Sequence, residues 1–184
     1  MKRLCCVVLA MLLLCGCRAE DSMDQALQLR SRVLGNACSF DAQIMADYGD
    51  VTYTFTLACA SDREGNLSFT VTQPESIYGI TGKLGKEGGK LTFDDVALSF
   101  PMLAEELITP VAAPWAFLTA LRGGYIQTTG ADGAYTRLTV SDSFESHALT
   151  LDIWLAEDQV PVQADVIWEN RRIVSMQIRN FVIG

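Results

Sequence analysis

The sequence predicts an α+β domain. It is one strongly curved antiparallel sheet of about ten strands, a half-barrel, with an N-terminal helix and a central helical insertion covering the concave face. Three observations carry this. From Ala37 onward, apolar and polar residues alternate with a period of two, as half-buried strands require. Three hairpins solved independently each gather their apolar side chains on one side, and a slip of one residue would scatter them. Only residues 22–34 and 102–122 break the alternation with helical spacing.

Length and charge narrow the class. The chain has 184 residues, enough for about one domain. Its 14 basic residues stand against 22 acidic ones for a net charge of −8, so a nucleic-acid partner is excluded. A single histidine argues against zinc and histidine-based metal catalysis, which need two or three.

The first segment is an address. Met1-Lys2-Arg3 is a positive n-region, and the apolar run Leu4–Gly16 is shorter than the ~20 residues that span a bilayer. It ends in Leu14-Cys15-Gly16-Cys17, which looks like a bacterial lipobox, with Cys17 as the residue that takes a diacylglycerol and becomes the new N-terminus. The other reading is an ordinary secretory signal cleaved near Ala19. The division expected is a lipoprotein signal peptide over 1–16, a tether over 17–21 and the folded domain over 22–184. Loss of Lys2 and Arg3 leaves 12 basic residues against 22 acidic, a net charge of −10. Anionic headgroups repel such a surface, so acyl chains must hold it at the membrane.

Ser22 with Gln25 three residues on reads as a capping box, and Met23, Ala26, Leu27, Arg30, Val33 and Leu34 follow at helical spacing before Gly35 ends the helix. Cys38, Phe40, Ala42, Ile44 and Ala46 then alternate with polar residues, as do Val51, Tyr53, Phe55, Leu57 and Cys59. If Asp47–Asp50 is a four-residue loop, Ala46 faces Val51 and Cys38 faces Cys59. Cys38 and Cys59 are therefore a disulfide candidate in an exported chain; the alternative is two buried free thiols.

At the other end, Leu149, Leu151, Ile153 and Leu155 face Val166, Ala164, Val162 and Val160. Trp168, Val166, Ala164 and Val162 then face Val174, Met176, Ile178 and Asn180. Between the ends, Leu67–Gln73, Ile77–Leu84, Lys90–Phe100, Tyr125–Thr129 and Ala134–Val140 read as further strands.

The insertion holds Leu107–Leu121, a stretch without a charge. Thr109-Pro110 reads as an N-cap with proline at the first helical position, Pro114 restarts the helix, and Gly123-Gly124 ends it. Two such short pieces cannot cover ten strands, so the concave face is expected to be only partly filled. Leu107, Ile108, Val111, Trp115, Phe117, Leu118 and Leu121 are then either plain core, a lid over a hydrophobic cavity, or a docking patch for a protein.

Chemistry is hard to find. His147 lies in Phe144-Glu145-Ser146-His147, a polar loop, and no Gly-x-Ser-x-Gly turn accompanies it. Glu105-Glu106 and Asp94-Asp95 are adjacent pairs whose side chains point apart. Gly82–Lys90 has the glycines and lysines of a phosphate loop without its spacing, and reads as a hairpin. Neither catalysis, metal nor cofactor is expected.

The order of a helix, antiparallel strands, a helical insertion and more strands resembles the unclosed barrel of the LolA/LolB-like lipoprotein superfamily. Pro74-Glu75-Ser76-Ile77-Tyr78-Gly79-Ile80-Thr81-Gly82, Leu91-Thr92-Phe93-Asp94-Asp95 and Met176-Gln177-Ile178-Arg179-Asn180-Phe181 share its texture. The chain is similar to Gram-positive lipid-anchored members such as clostridial spore-germination lipoproteins. The resemblance implies a hydrophobic face under a helical cover, holding an acyl chain or lipid on the outer side of the cell membrane. It also allows a protein partner from the envelope, for example a cell-wall or spore-cortex enzyme under regulation. LolA members are soluble carriers, whereas Cys17 would tether this chain as in LolB.

Overall fold

The computed structural model describes residues 17–94, 96–101, 103–104, 107–144 and 148–184. Helix α1 (Cys17–Val33) is followed by strands β1 (Cys38–Asp47), β2 (Thr52–Ser61), β3 (Leu67–Gln73), β4 (Thr81–Gly85), β5 (Gly88–Phe93) and β6 (Val96–Phe100). The small pair β7 (Leu103–Ala104) and β8 (Leu107–Ile108) leads through a 3-10 turn, Pro110–Ala112, into α2 (Ala113–Gly123). Strands β9 (Tyr125–Asp132), β10 (Tyr135–Ser141), β11 (Thr150–Leu155), β12 (Pro161–Trp168) and β13 (Arg171–Ile183) complete the chain.

Eleven strands form one antiparallel sheet in the order β6-β5-β4-β3-β2-β1-β13-β12-β11-β10-β9. Two meanders share this sheet: one runs outward from β1 to the β6 margin, the other inward from β9 to β13, which pairs with β1. The margins β6 and β9 do not meet, so the barrel stays open. This order explains the insertion. The chain must travel from one margin to the other between β6 and β9, and α2 crosses the concave face on the way.

Helix α1 starts before the expected capping box. The stretch 17–21, read as a tether, is helical, and Ser22 lies inside the helix. Its buried stripe is Ala26, Leu29 and Val33, whereas Leu27 and Leu34 face solvent. Gly35 ends the helix as expected, in the left-handed conformation at φ 74°.

All three hairpins keep their expected faces but pair two residues away from the expected register. In the first, Ala42 faces Leu57 and Ile44 faces Phe55, because the loop is only Gly49-Asp50. Gly49 takes φ 90°, its N–H donates to Asp47 Oδ1 at 2.8 Å, and the Tyr48 N–H reaches Val51 O at 3.1 Å. The second pairs Leu151 with Val166 and Ile153 with Ala164. Gln159 in the left-handed region (φ 62°), with its N–H on Ala156 O at 2.9 Å, closes a three-residue loop. The third pairs Val166 with Val174 and Ala164 with Met176, through Glu169-Asn170 at φ 47° and 63°, the two positive values of a type I′ turn. A shift of two preserves side-chain parity, so the core face survives.

Two other differences are local. The segment Lys90–Phe100 is a hairpin of β5 and β6, turning at Asp94 (φ 46°), rather than a single strand. The segment Ile77–Leu84 opens with a 3-10 turn, Glu75–Ile77, and only its end is strand β4. The Gly82–Lys90 stretch is the β4–β5 hairpin, as read. Near the C-terminus a bulge opposite Phe40 puts Asn180 at φ 53°. The extra residue turns Phe181 and Ile183 back towards the core.

Candidate binding cleft

Helix α2 is the central object of the concave face. Ala112, Ala113, Phe117, Leu118, Ala120 and Leu121 are buried, Phe117 completely. The Phe117 ring meets Phe40 edge-on at 5.7 Å and Phe181 at 6.2 Å between centroids. Phe117, Leu118 and Leu121 are thus core, with Val111 packed partly buried beside them.

Two arginines tie α2 to α1 reciprocally. Arg30 of α1 donates from Nε to Leu121 O at 2.8 Å and from Nη2 to Ala120 O at 3.3 Å and Gly124 O at 2.8 Å, at the C-terminal end of α2. Arg122 of α2 donates from Nε to Val33 O at 3.3 Å and from Nη2 to Asn36 O at 2.7 Å, at the C-terminal end of α1. Its Nη2 also reaches Ser61 Oγ and Asp62 O. Helix C-termini leave carbonyls without intrahelical partners and carry the negative end of the helix dipole, so each guanidinium sits where a cation is favoured.

The outer side of α2 is open. A cleft of about 390 Å³ runs between α2 and the end of β11, with Ile108, Trp115, Ala116, Ala120, Leu149 and Leu151 forming its apolar walls. Lys86, from the tip of the β4–β5 hairpin, and Asp142, after β10, line it as charged groups. Partial desolvation there raises the Asp142 carboxyl above the ordinary carboxylate pKa. Trp115 is fixed by its indole N–H on Gly65 O at 3.0 Å, and Ile108 O accepts the Tyr48 hydroxyl at 3.1 Å. Burial also raises the Tyr48 pKa. Gly124 makes the tight exit from α2: a Cβ there would lie 2.5 Å from Val140 Cγ1.

The insertion residues singled out from sequence therefore separate. Ile108 and Trp115 line the cleft; Phe117, Leu118, Leu121 and Val111 belong to or pack on the core; the side chain of Leu107 lies outside the described part. Sequence reading missed Lys86, Thr119, Asp142, Leu149 and Leu151, which come from four separate segments. Glu105, Glu106, Asp95 and His147 lie outside the described residues. Among the described residues no cluster of three or more metal-binding side chains occurs.

The disulfide expectation is corrected. The tighter β1–β2 turn sets Cys38 opposite Ser61 and Cys59 opposite Phe40, and both cysteines are buried free thiols. They share a face but stand diagonally, and such neighbours are about 7–8 Å apart, beyond the ~3.5–4.5 Å Cβ separation of a bridge. Burial raises both thiol pKa values, at Cys38 against the pull of the Arg122 charge. Native protein should therefore alkylate slowly at both positions. Unfolded, unreduced mature protein should add two alkyl groups at Cys38 and Cys59, counted by mass spectrometry; none would restore the bridge.

The described residues thus form an open antiparallel half-barrel with an N-terminal helix at its β9 margin and a mid-chain helix on its concave side. Solved structures similar to this chain include a LolA superfamily protein from Nitrosomonas europaea, at 7% identity and TM-score 0.45, covering 91% of this chain and 94% of that one. A putative outer membrane lipoprotein-sorting protein domain from Vibrio parahaemolyticus has 9% identity and TM-score 0.47, covering 90% and 93%. The Mycobacterium tuberculosis lipoprotein LppX has 11% identity and TM-score 0.42, covering 86% and 91%. Neither a protein-family model nor a curated protein matches the chain.

Proposed function

We propose that this protein is a lipid-anchored binding module of the bacterial envelope that holds the acyl part of a hydrophobic ligand beside α2, without catalysing a reaction. The observation that carries this is the apolar cleft of about 390 Å³. Its size falls within the ~300–1,000 Å³ typical of small-ligand sites, and mostly apolar walls with few polar groups are what such sites have. Lys86 and Asp142 supply those polar groups.

Native mass spectrometry of mature protein carrying Cys17→Ser tests this reading. Co-purified lipid, at one molecule per chain and released by denaturation, is the expected result; bare protein that takes up no added fatty acid would overturn it.

The anchor rests on the lipobox at Leu14–Cys17. Cys17→Ala should abolish metabolic labelling by an alkynyl palmitate analogue and leave the chain unprocessed or released. Unchanged labelling would contradict the assignment of Cys17.

A second reading, an envelope protein as partner, for example a cell-wall or spore-cortex enzyme, is favoured by the exposed apolar side chains of the β6 margin.

A further inference from the structure

Sheet margins display unpaired backbone donors and acceptors, and proteins usually blunt them with a charge, a proline, a bulge or a covering element. The β9 margin has α1 packed against it. The β6 margin has none of these devices within the strand: Val96-Ala97-Leu98-Ser99-Phe100 contains no charge or proline and pairs with β5 in unbroken register. Val96 is 71% exposed and Leu98 64%, and Phe93, opposite Val96, is 53% exposed. These side chains share one face with Leu91 and Phe100.

The other face carries Lys83 and Lys90, which with Lys86 at the β4–β5 hairpin tip are all the lysines after Lys2. Lys83 stands directly opposite Lys90, an arrangement of like charges that costs stability. Among the described residues none of the three is in an ion pair. Such a cluster in a chain with 22 acidic residues is unexplained by the fold alone. Ser99, a short side chain, faces Lys90 across β5 and β6. The next strand position beyond β6 lies about 10 Å from β5, two strand spacings away.

We propose that β6 accepts, as a twelfth strand, an extended segment of another protein in which apolar and acidic residues alternate. Main-chain hydrogen bonds to β6 hold it, its apolar side chains continue the Val96–Leu98 row, and its carboxylates meet Lys90, with Lys83 one strand further in adding to the positive field. This deepens the partner reading above and is independent of the cleft.

The test uses the full-length chain and a fluorescein-labelled peptide alternating valine and glutamate. Anisotropy should show saturable, salt-sensitive binding, and hydrogen exchange at residues 96–100 should slow when the peptide is bound. Leu98→Lys and the double variant Lys83→Glu, Lys90→Glu should each weaken binding at least tenfold, with melting temperature and fatty-acid uptake unchanged because these side chains are exposed. The double variant should instead take the valine–lysine peptide. Binding without slowed exchange, equal binding of both peptides by the parent chain, self-association through β6 in place of peptide binding, or binding only to phosphatidylglycerol vesicles would each overturn the proposal.

Discussion

Phe117→Ala should lower the unfolding free energy by about 3–5 kcal/mol, the cost of emptying a closed aromatic site. Phe117 is fully buried and meets Phe40 and Phe181 edge-on, so nothing nearby can move into the space without losing its own contacts. A domain of this size is stable by ~5–15 kcal/mol, so the variant loses a large share. Trp115→Ala, two positions away, should cost clearly less, about 1–3 kcal/mol, since its ring is partly exposed on the cleft and the loss is some packing plus the bond to Gly65 O. Urea midpoints at constant slope measure both. A cost for Phe117→Ala below about 1 kcal/mol would mean that α2 is a loose lid, not a core helix.

Arg122→Ala should be the second large effect, about 2–3 kcal/mol. It removes a charged donor from the carbonyls of Val33, Asn36 and Asp62 and from Ser61 Oγ, and water regains only the exposed part of these. Arg30→Ala should cost a similar amount at the other helix end. Lysine should rescue neither fully, because one ammonium cannot span carbonyls that a planar fork reaches together. Both arginines fasten the same pair of helices, so a double-mutant cycle should show coupling of about 0.5–3 kcal/mol. Strict additivity would mean that each guanidinium acts only on its local turn.

The half-barrel was legible because one-sided burial writes a period of two into β1, β2, β11, β12 and β13, and parity survives an error of register. Register itself was not legible. It is set by turns: Gln159, Glu169 and Asn170 hold positive φ without being glycine, and in the first hairpin Gly49 fits a two-residue loop as well as the four-residue loop Asp47–Asp50. That error is what paired Cys38 with Cys59. The uncharged stretch Leu107–Leu121 did mark the helix that crosses the concave face. Periodicity could not divide it into core and cleft sides, because Phe117 and Trp115 differ by what the distant strands bring to them. The arginine locks join residues about 90 positions apart, Arg30 to Leu121 and Arg122 to Val33, and no local pattern encodes a cap supplied from another helix. Lys86 and Asp142 reach one cleft from separate hairpins for the same reason.

Thr119 offers the most direct access to the central claim. It lies exposed on the cleft side of α2, away from the buried stripe, so a large side chain there fills the cleft without entering the core. Titration of a fluorescent fatty acid into the mature chain should give saturable binding at one site. Thr119→Trp should weaken that binding at least tenfold, a loss of about 1.4 kcal/mol or more, while the melting temperature stays within a few degrees of the parent. Equal uptake by parent and Thr119→Trp, or no uptake by either, would contradict acyl binding in this cleft.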